Sequence, residues 1–112
     1  METAACITQE PVIFEIPETT LDSSNSQRFR NTVASLMQPG IKLVFDMGKT
    51  RFVDSSGLGA IVWCLRRARE GGGDLKLCAM NKPVRALFEL VRMHKVLAIL
   101  NTREEAVLSF KQ

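Results

Sequence analysis

The chain has 112 residues, which is one domain by length, and 46% of them are hydrophobic, enough to fill a core. A net charge of +3 does not by itself indicate nucleic-acid binding, because such binders concentrate Lys and Arg on one face. No apolar run reaches the roughly eighteen residues of a membrane span, and the first five residues lack the pattern of a signal peptide.

The cysteines also bear on the cellular compartment. Cys6, Cys64 and Cys78 are odd in number and lack any CxxC spacing, which disfavours a disulfide framework and a zinc motif. This usage is typical of a reducing, cytoplasmic setting. We interpret the three thiols as buried, inert side chains.

The first predicted elements are two short strands, Cys6–Thr8 and Val12–Ile16, because both segments are rich in β-branched or aromatic residues. Pro11 separates them, which favours a hairpin at a sheet edge. A helix follows, since residues 22–25 offer several N-cap side chains and apolar residues then recur with helical spacing. Its buried face is predicted at Phe29, Val33, Leu36 and Met37.

The middle of the chain combines a buried strand with a long amphipathic helix. Ile41–Met47 is a nearly continuous apolar run, which suits a central strand covered on both faces. Phe52 and Val53 resume extended structure after a loop. The helix is predicted from near Gly57 to the glycines at 71–73. Its apolar face is predicted at Leu58, Ile61, Val62, Leu65 and Ala68.

The last third of the chain alternates strand and helix. Asp74–Met80 and Val96–Leu100 are predicted strands, and a helix begins between them at residues 81–83. The buried face of that helix is predicted at Val84, Leu87, Phe88 and Val91. Thr102 begins a short terminal helix with the spacing of a capping box. The order ββαβαβαβα predicts an α/β fold in which about four helices pack against a mixed, mostly parallel sheet.

The segment DSSGLG, residues 54–59, lies where a strand passes into the long helix. Ser55 falls at or beside the N-cap, where a small hydroxyl side chain stabilises a helix by about 1 kcal/mol. That structural role does not explain the second serine. Nor does it explain Gly57 and Gly59, each of which weakens a helix by about 0.5–1 kcal/mol relative to alanine. Such glycines permit close approach by another backbone or by a partner, so a structural turn and a functional site both stay open.

Familiar catalytic and ligand-binding motifs fit this segment poorly. It has no G-x-S-x-G elbow, and nothing places the single histidine, His94, near Ser55. A Walker phosphate loop and metal-ligand spacings are missing, so no cofactor is expected. A phosphorylation site fits better, because a phosphate at a helix N-terminus would meet free N–H groups. Asp54, and Asp22 if it lies nearby, would leave the added charge partly uncompensated, so the modification would spoil a contact surface.

These residues carry a resemblance to a known family. The segment 43–65, LVFDMGKTRFVDSSGLGAIVWCL, resembles the core of the STAS domain, the fold of bacterial anti-sigma factor antagonists. The resemblance covers nearly the whole chain and implies a single STAS-like domain over residues 1–112, with an ordered core at about 6–110. It also implies that Ser55 is the phospho-acceptor. The residues expected to border the partner-binding surface are Asp22, Asp54, Ser56, Gly57 and Leu58.

The resemblance implies partner switching by a protein that is not an enzyme. An anti-sigma factor serine kinase phosphorylates the acceptor, a PP2C-type phosphatase removes the phosphate, and the unphosphorylated form binds the kinase, which releases its client. No direct nucleic-acid partner and no membrane partner are expected, and homodimer formation stays open. The alternative is a STAS adaptor subunit of a larger signalling or lipid-transport complex, without a phosphorylation switch. A nucleophilic Ser55 or a nucleotide site is a third hypothesis.

Overall fold

The computed structural model describes residues 10–111, which fold into two parallel sheets and four α-helices. In chain order the elements are β1 (Val12–Glu15), β2 (Thr20–Leu21), α1 (Ser26–Ala34), β3 (Lys42–Asp46), β4 (Phe52–Val53), α2 (Ser55–Glu70), β5 (Asp74–Cys78), α3 (Lys82–Leu90), a 3₁₀ turn (Met93–Lys95), β6 (Ile99–Leu100) and α4 (Arg103–Ser109). The main sheet has the strand order β1-β3-β5-β6, and β2 and β4 form a separate pair. The predicted α/β fold is confirmed.

The main sheet is covered by helices on both faces, which explains the apolar run of its central strand β3. Phe45 lies at the centre of an aromatic cluster, with ring centroids 5.9 Å from Phe14 and 5.5 Å from Phe29 of α1. Val44 points to the other face and packs against Ala106 of α4. Because successive strand residues face opposite sides, a strand with core on both sides is apolar throughout.

The N-terminal part agrees with the prediction only in part. The predicted strand Val12–Ile16 is observed as β1, and it pairs in parallel with β3 at the edge of the main sheet. The predicted strand Cys6–Thr8, and with it the hairpin, lies outside the described residues. The pairing of β2 with β4 was not predicted. It places Thr20 beside Phe52 and Leu21 beside Val53.

The first helix is shorter than the predicted apolar face. Phe29 and Val33 are buried as expected. Leu36 and Met37 are half-buried, and they follow the end of α1 at Ala34 rather than belonging to the helix. They lie in the segment between α1 and β3, so the helical spacing that predicted their burial no longer applies to them.

The third helix also ends earlier than its apolar pattern suggests. Val84 and Phe88 are buried as predicted. Val91 was predicted to be buried but is 44% exposed, because α3 ends at Leu90. Arg92 then takes the left-handed conformation with φ 63°, which turns the chain toward the 3₁₀ turn.

The long helix α2 is rotated slightly from the predicted orientation. Its buried residues are Gly57, Ala60, Ile61, Cys64, Leu65 and Ala68. Leu58 and Val62, predicted to lie on the buried face, are only half-buried. The hydrophobic pattern therefore continues onto the accessible flank of the helix, next to Ser55.

The terminal helix is held by a cap and by an ion pair. Thr102 caps α4 as predicted, since its hydroxyl oxygen accepts a hydrogen bond from the Glu105 N–H at 3.1 Å. Arg103 donates from Nε to the carboxylate of Asp46, a buried residue at the end of β3, and also pairs with Glu15 at 3.6 Å. These contacts fix α4 against the carboxyl end of the sheet.

Candidate functional site

The DSSGLG segment forms the beginning of α2, and Asp54 is its N-cap. The Asp54 carboxylate accepts a hydrogen bond from the Gly57 N–H at 2.9 Å, and its backbone is extended. Ser55 is therefore the first residue of the helix and lies beside the cap. The capping role proposed for its hydroxyl belongs to Asp54. Among residues 10–111, no side chain or backbone group hydrogen-bonds the side chains of Ser55 and Ser56, and Ser55 is exposed.

Gly57 permits a close approach between two backbones. The pairing of β2 with β4 brings Leu21 against the beginning of α2, where its carbonyl accepts a hydrogen bond from the Asp54 N–H at 3.1 Å. A Cβ on Gly57 would stand 2.2 Å from that carbonyl oxygen, so only glycine fits. Gly57 is buried and shapes the site without offering a side chain to its surface.

Asp22 continues directly from Leu21 and so belongs to the same corner of the molecule. Its carboxylate accepts hydrogen bonds from the Ser24 hydroxyl at 2.6 Å and from the Ser24 N–H at 2.9 Å. These hydrogen bonds stabilise the charged form and lower the pKa of Asp22 below its usual value. The structure thus brings the loop of Asp22 to the helix that carries Asp54 and Ser55.

A groove of about 420 Å³ lies beside Ser55 on the accessible flank of α2. The helix lines it with Ser55, Leu58, Gly59, Val62, Trp63 and Arg66, and α1 contributes Arg30. A second groove of about 520 Å³ shares Val62 and Arg66 with the first and extends to Met93 and Val96. Ser55 therefore lies at one end of a partly apolar surface that follows α2.

Arg30 is a site residue that sequence reasoning did not identify. Its Nη2 lies 4.0 Å from the position that a Cβ of Gly59 would take, and its guanidinium carbon is 5.9 Å from the centre of the Trp63 ring. Its Nε is buried and has no hydrogen-bond partner within the described part of the chain. The only sequence signal for Arg30 was its position next to Phe29, which was predicted to be buried. Nothing in the sequence indicates that α1 packs against the start of α2.

Nothing in the described residues activates Ser55 for catalysis. No base contacts its hydroxyl, and His94 lies in the exposed 3₁₀ turn after α3. Residues 10–111 hold no cluster of His, Cys, Asp and Glu suited to a metal ion. In the same range, no helix is both long enough and apolar enough to span a bilayer.

The two described cysteines are buried and unpaired, as predicted for inert thiols. Burial raises the pKa of Cys64 to about 12, although the charge of Arg30 opposes this. Burial and, second, the negative charge of Asp46 raise the pKa of Cys78 to about 11. Cys6 lies outside the described residues.

We expect Cys64 and Cys78 to resist a water-soluble disulfide reagent in the native protein at pH 8 and to react once it unfolds. A Cys6→Ser variant removes the third thiol, so any fast native reaction would contradict the prediction.

Because the folded pKa values exceed the unfolded value of about 8.5, the unfolded state loses these protons first. Stability should therefore fall as pH rises from about 8.5 toward 11 and 12, with a smaller slope in Cys64→Ala and Cys78→Ala.

Comparisons with known proteins agree with the predicted family and fold. A family model described as STAS domain matches residues 3–106. A Bordetella bronchiseptica protein assigned as the anti-sigma factor antagonist BtrV is 27% identical over 92 residues, which cover 81% of this chain and 79% of that protein.

Two solved structures resemble this one in fold. An anti-sigma-factor antagonist (STAS) domain protein from Planctomyces limnophilus has a TM-score of 0.83 at 20% identity, with 91% of this chain and 92% of that chain covered. The phosphorylated form of the Bacillus cell fate determinant SpoIIAA has a TM-score of 0.64 at 19% identity, with 93% of this chain and 94% of that chain covered. Because the family model matches most of the sequence, this chain belongs to the STAS domain family.

Proposed function

We propose that this protein is an anti-sigma factor antagonist that works as a phosphorylation-controlled, non-catalytic binding module. The observation that carries the proposal is Ser55, an exposed serine at the start of α2 whose hydroxyl is not needed to cap the helix. The Bordetella relative assigned as an antagonist supports the role, and a fold neighbour described in a phosphorylated form supports the modification.

The chemistry needs only an acceptor hydroxyl from this chain. An anti-sigma-type serine kinase would hold a nucleoside triphosphate, and the Ser55 Oγ would attack the terminal phosphorus. The Oγ–P bond forms, the bond to the nucleoside diphosphate breaks, and a base of the kinase takes the hydroxyl proton. A PP2C-type phosphatase would hydrolyse the phosphate ester and restore the free serine.

The surroundings of Ser55 explain how a phosphate would weaken partner binding. The proposed contact surface includes Asp22, Asp54, Ser56, Gly57 and Leu58, together with the groove along α2. A phosphoserine carries a charge of about −1.5 to −2 at neutral pH, which is costly to bury against a partner. Asp22 adds negative charge to this corner, and the hydrogen bonds from Ser24, which lower its pKa, favour its ionised form.

The first test is intact mass and phosphopeptide mapping on the protein from its native cells, under several growth conditions. One phosphoryl group on Ser55, with an occupancy that changes with condition, is the expected result. Ser55→Ala should abolish the modification and Ser56→Ala should retain it. Persistent absence of phosphate, in conditions that alter sigma-dependent expression, would contradict the switch and favour the adaptor role.

Binding to the kinase supplies the complementary test. Ser55→Ala should bind like the unmodified protein, whereas Ser55→Asp should weaken the dissociation constant at least about tenfold if Ser55 is central in the interface. Ser35→Asp adds the same charge at an exposed position after α1, outside the proposed contact surface, and serves as the matched control with unchanged binding. Equal binding of Ser55→Ala and Ser55→Asp, or stable co-purification with a larger complex regardless of Ser55, would support a constitutive adaptor instead.

A further inference from the structure

We propose that Arg30 is the counter-charge that holds the phosphate on phosphorylated Ser55. The inference rests on the proposed function, since it concerns the modified state of that serine. It assigns a role to an arginine of α1 that neither the motif nor the local helix pattern indicates.

The geometry places Arg30 within reach of the modified serine. Ser55 and Gly59 are four residues apart in α2, so they share a helix face with Cβ positions about 5–6 Å apart. The Arg30 Nη2 lies 4.0 Å from the Cβ position of Gly59. Because Gly59 has no side chain, the space between Ser55 and this guanidinium stays open, and both residues line the same groove.

The buried, unpartnered Nε distinguishes Arg30 from the other arginines among residues 10–111. Arg69 pairs with Asp74, Arg85 with Glu89 and Arg103 with Asp46. Arg30 forms no ion pair with any residue in the range 10–111, and its Nε is buried without a hydrogen-bond partner. Unpartnered buried donors are rare in folded proteins. A phosphate supplies the strong, bidentate acceptors that a guanidinium prefers.

Trp63 keeps this guanidinium on the groove side of α1. The guanidinium carbons of Arg30 and Arg67 lie 5.9 Å and 5.4 Å from the centre of the Trp63 ring. This cation–π contact favours the observed position of the Arg30 side chain before any phosphate arrives, so less conformational freedom is lost when it binds. The second arginine adds positive potential near the groove.

The pairing would give phosphorylation a second effect. In the unmodified protein, Arg30 offers an unpaired cation to an acidic group of the partner at the Ser55 end of the groove. In the modified protein, the phosphate neutralises that cation and occupies the space above Gly59. Phosphorylation would thus add a charge and withdraw a contact at the same place, while the domain stays folded.

The test is a ³¹P NMR pH titration of protein in which phosphoserine is incorporated directly at position 55. A neighbouring cation favours the dianionic phosphate and lowers its second pKa, which is about 6 in an isolated phosphoserine. We expect the titration midpoint of the Arg30→Gln protein to lie about 0.5–1 pH unit above that of the unsubstituted protein. Arg30→Lys should restore only part of the difference, because it returns the charge without the bidentate geometry of the guanidinium.

Arg66→Gln is the matched control, because it removes the same charge from the same groove. Arg66 is eleven residues beyond Ser55 in α2, about 16 Å along the helix axis. The titration midpoint of the Arg66→Gln protein should therefore equal that of the unsubstituted protein. Equal midpoints for Arg30→Gln and the unsubstituted protein, or equal shifts for Arg30→Gln and Arg66→Gln, would overturn the proposal. The titration needs no kinase, so absence of phosphate in native cells would overturn the proposed function without deciding this pairing.

Discussion

Gly57→Ala is expected to destabilise the domain by about 3 kcal/mol, at the upper end of the usual range for overpacking. The added methyl group would stand 2.2 Å from the Leu21 carbonyl oxygen and 2.8 Å from its carbon. Both atoms are backbone, so relief requires β2 to move away from the start of α2. The measurement is urea unfolding of both proteins, followed by the fluorescence of Trp63, the single tryptophan.

Gly59→Ala is the matched control for this variant. It adds the same methyl group two residues further along the same helix, where the nearest atom is the end of the Arg30 side chain at 4.0 Å. Alanine is the better helix former, so this variant should be neutral or more stable by up to about 1 kcal/mol. Equal destabilisation by the two substitutions would show that helix position, rather than the contact with Leu21, makes Gly57 necessary.

Under the proposed function, the Gly57 variant should also lose partner binding beyond its loss of stability. Displacement of Leu21 would break its hydrogen bond with the Asp54 N–H and shift the loop that carries Asp22. We expect weaker kinase binding even at temperatures where the variant is fully folded. Gly59→Ala, which leaves this corner in place, should bind the kinase far better than Gly57→Ala.

Gly73→Ala should destabilise the domain by a similar amount, about 3 kcal/mol, at the other end of α2. A Cβ on Gly73 would stand 2.0 Å from the Ile41 carbonyl oxygen and 2.7 Å from the Ile41 nitrogen. The chain after α2 passes directly over the residue that leads into β3, and the Asp74 N–H donates to the Ile41 oxygen at 2.9 Å. The clash therefore separates the starts of β3 and β5.

The two preceding glycines provide a graded control within the same turn. Gly72 has φ +86° and open space around it, so Gly72→Ala should cost about 1 kcal/mol from backbone strain alone. Gly71 has an ordinary backbone conformation and only normal contacts, so Gly71→Ala should be close to neutral. Unfolding measurements on the three variants should rank them in this order. An equal effect at all three positions would contradict the role of the crossing at Ile41.

The beginning of α2 shows where sequence reasoning about the site ends. Asp and Ser are about equally good N-cap residues, so adjacent Asp54 and Ser55 left the identity of the cap undecided. The extended backbone of Asp54 and its bond to the Gly57 N–H decide it. That outcome bears on function, because it leaves the Ser55 hydroxyl without a structural task.

The sequence by itself determined the class of fold and predicted the location of the candidate site. The apolar run of β3 and the helical spacing in α2 reflect the burial of one or both faces of each element, which is a local property of the chain. The DSSGLG motif likewise lies in consecutive residues, so the sequence alone carries the resemblance to STAS domains. Helix caps, helix-ending residues and hydrophobic periodicity act over a few residues. The predictions of helices and strands succeeded where these local features determine the structure.

Only the tertiary structure decided which distant residues meet at that site. Leu21 reaches Gly57 because β2 pairs with β4, and Arg30 reaches Gly59 because α1 packs on α2. These contacts join residues that are far apart in the chain, and no local pattern encodes them. The same holds for Gly73 and Ile41. The sequence indicated only that Gly73 ends the helix, whereas the structure shows that its backbone passes directly over that of Ile41. Such contacts depend on how whole helices and strands pack against each other, and the close packing of the entire core determines that arrangement.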